Sequence, residues 1–215
     1  MHIRLGLMML LAVAGGGVAA KKPSAAGDYR LVGEQDVASG IRLKPDGRFQ
    51  YFLAAGALDE RAEGRWSESG GRIALVTEPK PVPPLFRQSE PRKTEAAAFI
   101  VTVSSAEGGG IAGVDLRLGF DEGDPIESYT QEDGWSLPAD EKRTPRWIEL
   151  GVPMHGLAST RLPIDLAAGN ALAFTLVAND LGVLDFEGVP VTVEKRALVV
   201  ERGGGRLRYE RVDDK

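Results

Sequence analysis

From Gly27 onward the apolar positions recur every second residue far more often than at helical spacing. Phe49, Tyr51 and Leu53 fall on one face of a run, as do Phe99, Val101 and Val103, with Thr102 opposite. The cleanest run is Val114-Asp115-Leu116-Arg117-Leu118-Gly119-Phe120, apolar at each even position and polar or glycine between. Successive side chains of a strand point to opposite faces, so this run predicts a strand with one wetted side. Pro45-Asp46-Gly47, Ser69-Gly70-Gly71, Asp133-Gly134 and Gly203-Gly204-Gly205 sit between such runs at hairpin spacing. Asp-Gly and Gly-Gly supply the positive φ that tight turns demand. The pattern predicts about a dozen short strands and no long helix, hence an all-β sandwich or barrel. Ala57 to Ala62 reads as one helical turn or a bulged loop.

Pro79, Pro81, Pro83 and Pro84 mark the clearest boundary, because closely spaced prolines favour extended polyproline II and interrupt a central strand. Such a stretch serves either as a stiff connector or as a segment that docks in an aromatic-lined groove; the connector is the simpler reading. The polar stretch from Gln88 to Glu95 extends it. The predicted organisation is therefore an N-terminal β-unit over 27–78, a connector over 79–95 and a C-terminal β-sandwich over 96–213. A unit of about 50 residues is marginal as an independent core. A second topology follows from a loose echo: Gly70-Gly71-Arg72-Ile73-Ala74-Leu75 and Gly204-Gly205-Arg206-Leu207-Arg208-Tyr209 both read as glycine turn, arginine, alternating strand. In that arrangement the last strands, 196–212, pack with the first unit and the middle is an insertion.

The N-terminus changes the picture of where this chain works. Met1 to Arg4 gives a short positive region, Leu5 to Ala14 an apolar one, and Val18-Ala19-Ala20 the small residues of a signal-peptidase site. Residues 1–20 read as a signal peptide cleaved before Lys21. The alternative is a retained anchor, but the uncharged stretch Leu5–Ala20 contains four glycines and falls short of the ~20 apolar residues a spanning helix needs. Neither Asn170 nor Asn179 begins a glycosylation sequon, which leans toward a bacterial periplasm or medium. The formal net charge is −5 and the chain has no cysteine, which excludes disulfides, thiolate metal sites and cysteine nucleophiles and recommends no nucleic-acid partner.

Residues 99–137 resemble the start of a transthyretin-like, carboxypeptidase-regulatory-like β-sandwich. Phe99–Val103 stands for its first strand, Gly110-Ile111-Ala112-Gly113-Val114-Asp115-Leu116-Arg117-Leu118 for its glycine turn and second strand, and Tyr129-Thr130 with Asp133-Gly134-Trp135 for its T-D-x-D-G motif. Gln131 replaces the motif's first aspartate, and the segment after Leu137 departs from the pattern. The resemblance implies a fold and a non-catalytic accessory role. Residues 27–78 are similar to small lipocalin-like domains through Gly27-Asp28-Tyr29 and Gly64-Arg65-Trp66.

Gly108-Gly109-Gly110-Ile111-Ala112-Gly113 satisfies G-x-G-x-x-G, but a strand follows it where dinucleotide binding needs a helix N-terminus. His155, the one histidine left after cleavage, has Ser159, Thr160 and Asp165 nearby in sequence, without a nucleophile elbow. Thr192-Val193-Glu194-Lys195 has a nucleophile–x–x–lysine spacing that works on a helix and fails on a strand. Asp121-Glu122-Gly123-Asp124 and Glu132-Asp133 could offer calcium oxygens from two loops, though the EF-hand pattern is missing. Trp66, Trp135 and Trp147 are candidates for stacking on a sugar or lining a cavity, against ordinary packing. Trp147 shares its face with Glu149, opposite Ile148 and Leu150.

The sequence therefore assigns no catalytic residue, metal ligand or cofactor, and leaves ligand-binding residues open. It points to an exported non-enzymatic binding or accessory module whose partner is an unidentified protein or small molecule. The alternative is a small apolar-ligand carrier whose barrel cavity is lined by Tyr51 and Trp66; an exported hydrolase is third.

Overall fold

The computed structural model describes residues 25–95 and 98–213; the segment 1–20, read from sequence as a signal peptide, and its expected cleavage point lie outside the described residues. The first five strands are β1 (Gly27–Val32), β2 (Val37–Leu43), β3 (Arg48–Ala55), β4 (Leu58–Ser69) and β5 (Arg72–Thr77). The next nine are β6 (Leu85–Gln88), β7 (Ile100–Ser104), β8 (Asp115–Phe120), β9 (Ile126–Tyr129), β10 (Trp135–Ser136), β11 (Pro145–Val152), β12 (Leu157–Ala158), β13 (Leu162–Pro163) and β14 (Ala171–Val177). The last three are β15 (Val191–Glu194), β16 (Ala197–Arg202) and β17 (Gly205–Arg211). Among the described residues the helical segment is one 3-10 turn, Pro153–His155. The fold is all-β in two units, as the alternation predicts.

β1 to β5 and β15 to β17 form a closed eight-stranded barrel in the order β1-β17-β16-β15-β5-β4-β3-β2. Each neighbouring pair is antiparallel. Of the C-terminal unit expected over 96–213, the last strands lie in the barrel, the arrangement of the second topology, and the sandwich is inserted between β5 and β15. The physical reason is edge satisfaction. A five-strand sheet leaves two rows of unpaired backbone groups, and only three more strands close it. The connector expected over 79–95 also contains a strand, because Leu85–Gln88 pairs with β14. In the segment Ala57–Ala62, Ala57 completes the turn with Gly56 at φ 59°, and Leu58–Ala62 is neither a helical turn nor a bulged loop but the start of β4.

The barrel wall is incomplete along β5. β15 meets it only at Val191↔Ile73 and Thr192↔Arg72. The chain returning from the sandwich covers the rest. Arg61 N donates to Gly182 O at 2.8 Å and Leu184 N to Arg61 O at 2.9 Å. Thr77 Oγ1 donates to Leu184 O at 2.9 Å and accepts from Phe186 N at 3.1 Å. These bonds drive the Phe186 ring into the barrel, edge-on to Phe49 at 5.6 Å and to Tyr51 at 4.9 Å. Gly64, paired with Thr77 where β5 ends, allows this closure: a Cβ there would lie 2.0 Å from Val76 O and 2.7 Å from Glu78 N. Backbone cannot retreat as a side chain can. Gly64→Ala is expected to cost about 2 kcal/mol, read as a lowered urea midpoint.

The outgoing and returning crossings are tied together. Val82 N donates to Asp180 Oδ2 at 2.8 Å, Asn179 Nδ2 to Pro83 O at 2.8 Å, and Lys80 Nζ pairs with Glu187 at 2.7 Å. The inserted unit has two sheets, β10-β7-β14-β6 and β12-β11-β8-β9, with β13 also on β11. Val101, Val103, Leu172 and Phe174 of one sheet share a core with Leu116, Leu118, Ile148 and Leu150 of the other. β7 and β14 run parallel. The Asp133-Gly134 turn is tight, but it carries the chain from one sheet to the other: β9 pairs with β8, and β10 with β7.

Candidate functional site

The residues with catalytic spacing do not converge. Ser159 Oγ accepts the Leu150 N–H at 2.8 Å, and Asp165 Oδ1 accepts the Ala167 N–H at 2.9 Å, so both serve local backbone. His155 ends the 3-10 turn, half-buried. Thr192 and Glu194 lie on β15, and Lys195 begins the next turn at φ 58°. The glycine-rich segment joins β7 to β8, and a Cβ at Gly110 would meet Glu132 O at 1.8 Å. Those glycines serve a close backbone approach.

The two acidic loops sit at opposite ends of β9, so they do not form one oxygen cage. In the first loop a guanidinium already occupies the place where a cation would sit. Arg143 Nη1 donates to Asp124 O at 2.8 Å and to Glu122 O at 3.3 Å, while Nη2 and Nε hold Glu141 at 2.7 and 3.0 Å. The Arg143 hydrogen bonds depress the Glu141 carboxyl to about 2. A depressed carboxylate stabilises the fold above its unfolded value and loses that contribution as pH falls through the folded value. The staple is therefore expected to persist down to about pH 2. The carboxyl-carbon chemical shift of Glu141 should stay flat from pH 7 to 3 and move only below that.

Inside the barrel a polar cluster lies under the end from which the sandwich emerges. Arg202 donates from Nη1 and Nη2 to both oxygens of Glu60 at 2.5 Å. Tyr51 Oη lies 3.4 Å from Glu60 Oε2, and the Tyr209 and Ser39 hydroxyls are 3.0 Å apart. Burial pushes both tyrosine hydroxyls up, and the Glu60 hydrogen bonds hold the Arg202 guanidinium up. All five groups are mutually paired, which is what a low-dielectric interior requires. Tyr51 and Trp66 both face inward, and the Trp66 indole N–H donates to Lys44 O at 2.8 Å. The inward side chains of the barrel form one buried cluster that includes Phe186 at the seam. Glu60 and Arg202 are the pair that sequence reading missed. Their signal was parity: Glu60 falls in step with Ala62 and Trp66, and Arg202 with Leu198 and Val200.

The outer face of the β8–β9–β11 sheet carries the other organised cluster. Backbone register sets the rows. Glu127, Arg117 and Glu149 stand side by side, as do Tyr129, Asp115 and Gly151, while Trp147 lies opposite Gly119. Arg117 pairs with Glu127 at 3.4 Å and with Glu149 at 3.5 Å, and Arg161 Nε reaches Glu149 at 3.1 Å. The Trp147 indole lies across Gly119, where a Cβ would come within 1.8 Å of it. The Arg161 guanidinium stacks 3.8 Å from the indole centroid. Trp147 therefore shares an outer face with Glu149 and acts as a bed for Arg161. Next to it a groove of about 520 Å³ is lined by Asp115, Arg117, Glu127, Tyr129, Glu149 and Gly151. Tyr129, at 57%, is the most exposed aromatic ring among the described residues. A second groove, about 450 Å³, lies between the outer faces of β3 and β4 and the chain crossings at Pro79, Pro81 and Asp180.

Among the described residues no helix is long and apolar enough to cross a membrane, and no group of three or more His, Asp or Glu is placed to hold a metal ion. No family model, curated protein or solved structure matches the chain.

Proposed function

We propose that this chain is an exported, non-enzymatic binding module in which the barrel is a pedestal and the inserted sandwich carries the binding surface. The observation that supports it is the Phe186 plug: a barrel filled by its own side chain offers its surface and its insertion, not its interior, to partners. The accessory role implied by the transthyretin-like resemblance of residues 99–137 points the same way, as does the engagement of Ser159 and Asp165 in local backbone bonds. The signal-peptide pattern of residues 1–20 supports the export part of this reading, to a bacterial periplasm or outside the cell.

A second reading, a small-ligand carrier of lipocalin-like type, is favoured by the inward polar cluster of Ser39, Tyr51, Glu60, Arg202 and Tyr209. Such clusters orient a bound molecule in apolar cavities. Native mass spectrometry on protein taken from its exporting host separates the two. A native mass equal to the denatured mass is the pedestal's result. The mass of an apolar small molecule, present only in the native spectrum, overturns it in favour of the carrier. The denatured mass also tests cleavage before Lys21.

A further inference from the structure

We infer that the groove on the outer face of β8, β9 and β11 binds an uncharged oligosaccharide, with Tyr129 as the stacking platform. The inference rests on the binding-module reading and names the ligand class of its surface.

Tyr129 projects from a short edge strand with most of its ring in solvent, although an apolar ring on a sheet's wet face gains nothing there by itself. Beside it Asp115 is exposed and takes no part in the ion pairs of the adjoining row. Gly151, next to Asp115 in register, removes any side chain from the floor, so the groove stays open between Tyr129 and Glu149. The far wall is Glu127, Arg117, Glu149 and Arg161, a row of planar groups held by one another and by the Trp147 bed. Each planar carboxylate or guanidinium can meet two neighbouring hydroxyls at once, and a pre-ordered row loses little side-chain freedom on doing so.

Charge selects the ligand. Three carboxylates, Asp115, Glu127 and Glu149, face two guanidiniums, Arg117 and Arg161, within the surface. An anion meets the three carboxylates, while a cation meets the two guanidiniums and finds Asp115 alone outside the ion pairs, because Glu127 and Glu149 are already held by Arg117 and Arg161. A neutral polyhydroxyl ligand adds hydrogen bonds to charged groups without breaking a pair. Its ring C–H face is the complement of the tyrosine π-face. The shallow, open shape suits a chain laid across the strands.

The test is affinity electrophoresis of the full mature chain in native gels containing laminarin, hydroxyethyl cellulose or dextran, with polygalacturonate as the charged comparison. At least one neutral polysaccharide should retard the protein, insensitive to salt up to 0.5 M. Tyr129→Ala should weaken that retardation about tenfold, while Phe52→Ala, an exposed ring on the barrel wall, leaves it unchanged. Both rings are solvent-exposed, and circular dichroism checks that each variant folds. No retardation by any of the three neutral polymers overturns the inference. So does retardation that Tyr129→Ala leaves intact, or that polygalacturonate alone produces and salt removes. All three of those results leave the module reading standing. That reading fails on a different result, an apolar small molecule, not a sugar, carried in the native mass spectrum.

Discussion

Phe186→Ala is expected to lower the stability of the barrel by about 3–5 kcal/mol, the range for deleting a fully buried aromatic ring. For a chain of this size that is a fall of about 10 °C in the melting midpoint. The ring is 1% exposed and makes edge contacts to Phe49 and Tyr51, so its removal leaves a void that neither neighbour fills without leaving its rotamer. The effect should be confined to the barrel. Trp66 lies in the barrel, whereas Trp135 and Trp147 lie in the sandwich. In a background with Trp135→Phe and Trp147→Phe, Trp66 emission follows the barrel alone. A large shift in the Trp66 transition is the predicted result; an unchanged transition would show that Phe186 does not plug the wall. The carrier reading makes a further demand on the same variant, since a ligand displaced by the ring should then find room.

Arg202→Met should cost about 3 kcal/mol, somewhat below the largest losses seen when one member of a buried pair is removed, because the pair is partly exposed. The side chain of Glu60 is 9% exposed and that of Arg202 29%, so the stranded carboxylate retains little water. Adding Glu60→Leu should return most of the loss, because the double variant replaces a desolvated pair with apolar packing. Urea denaturation of the two single variants and the double one gives a coupling of about 2–3 kcal/mol if the bidentate bond is as drawn. Additive single losses would show that the two groups are independently solvated.

These two sites show unevenly how far the sequence can be read. Period-two alternation located most strands, since the face of each strand is a local property. Trp147 and Glu149 lie outward, and Ile148 and Leu150 inward, as the alternation alone requires. The glycine turns at Gly47, Gly70-Gly71 and Gly203-Gly204 were equally legible, because each needs a positive φ that only glycine adopts without strain. The proline boundary marked the point where the chain leaves the barrel. It could not show that β6 begins inside the predicted connector, since that strand exists only because β14 is beside it.

The candidate site was less legible. Tyr129 lay within a motif that resembles a hairpin, and Arg117 and Glu127 looked like ordinary wet-face charges. Only register places them in neighbouring rows, and register depends on pairing between strands. Glu60 and Arg202 are 142 residues apart, and nothing local to either announces the other. The acidic loop weighed for calcium shows the same limit. The sequence shows the acidic loop but not the arginine, 19 residues beyond Asp124, whose guanidinium takes its carbonyls.

What the sequence determined by itself is the β class, the inward and outward faces of the strands and the turns, all set by the chemistry of a few consecutive residues. What only the tertiary structure decided is which strands pair. The barrel closed around the first and last strands, the sandwich became an insertion, and the return crossing delivered Phe186 into the seam. Alternation specifies a face but not a partner. The partner is chosen by closing every backbone edge around one filled core, a condition that exists only for the whole chain.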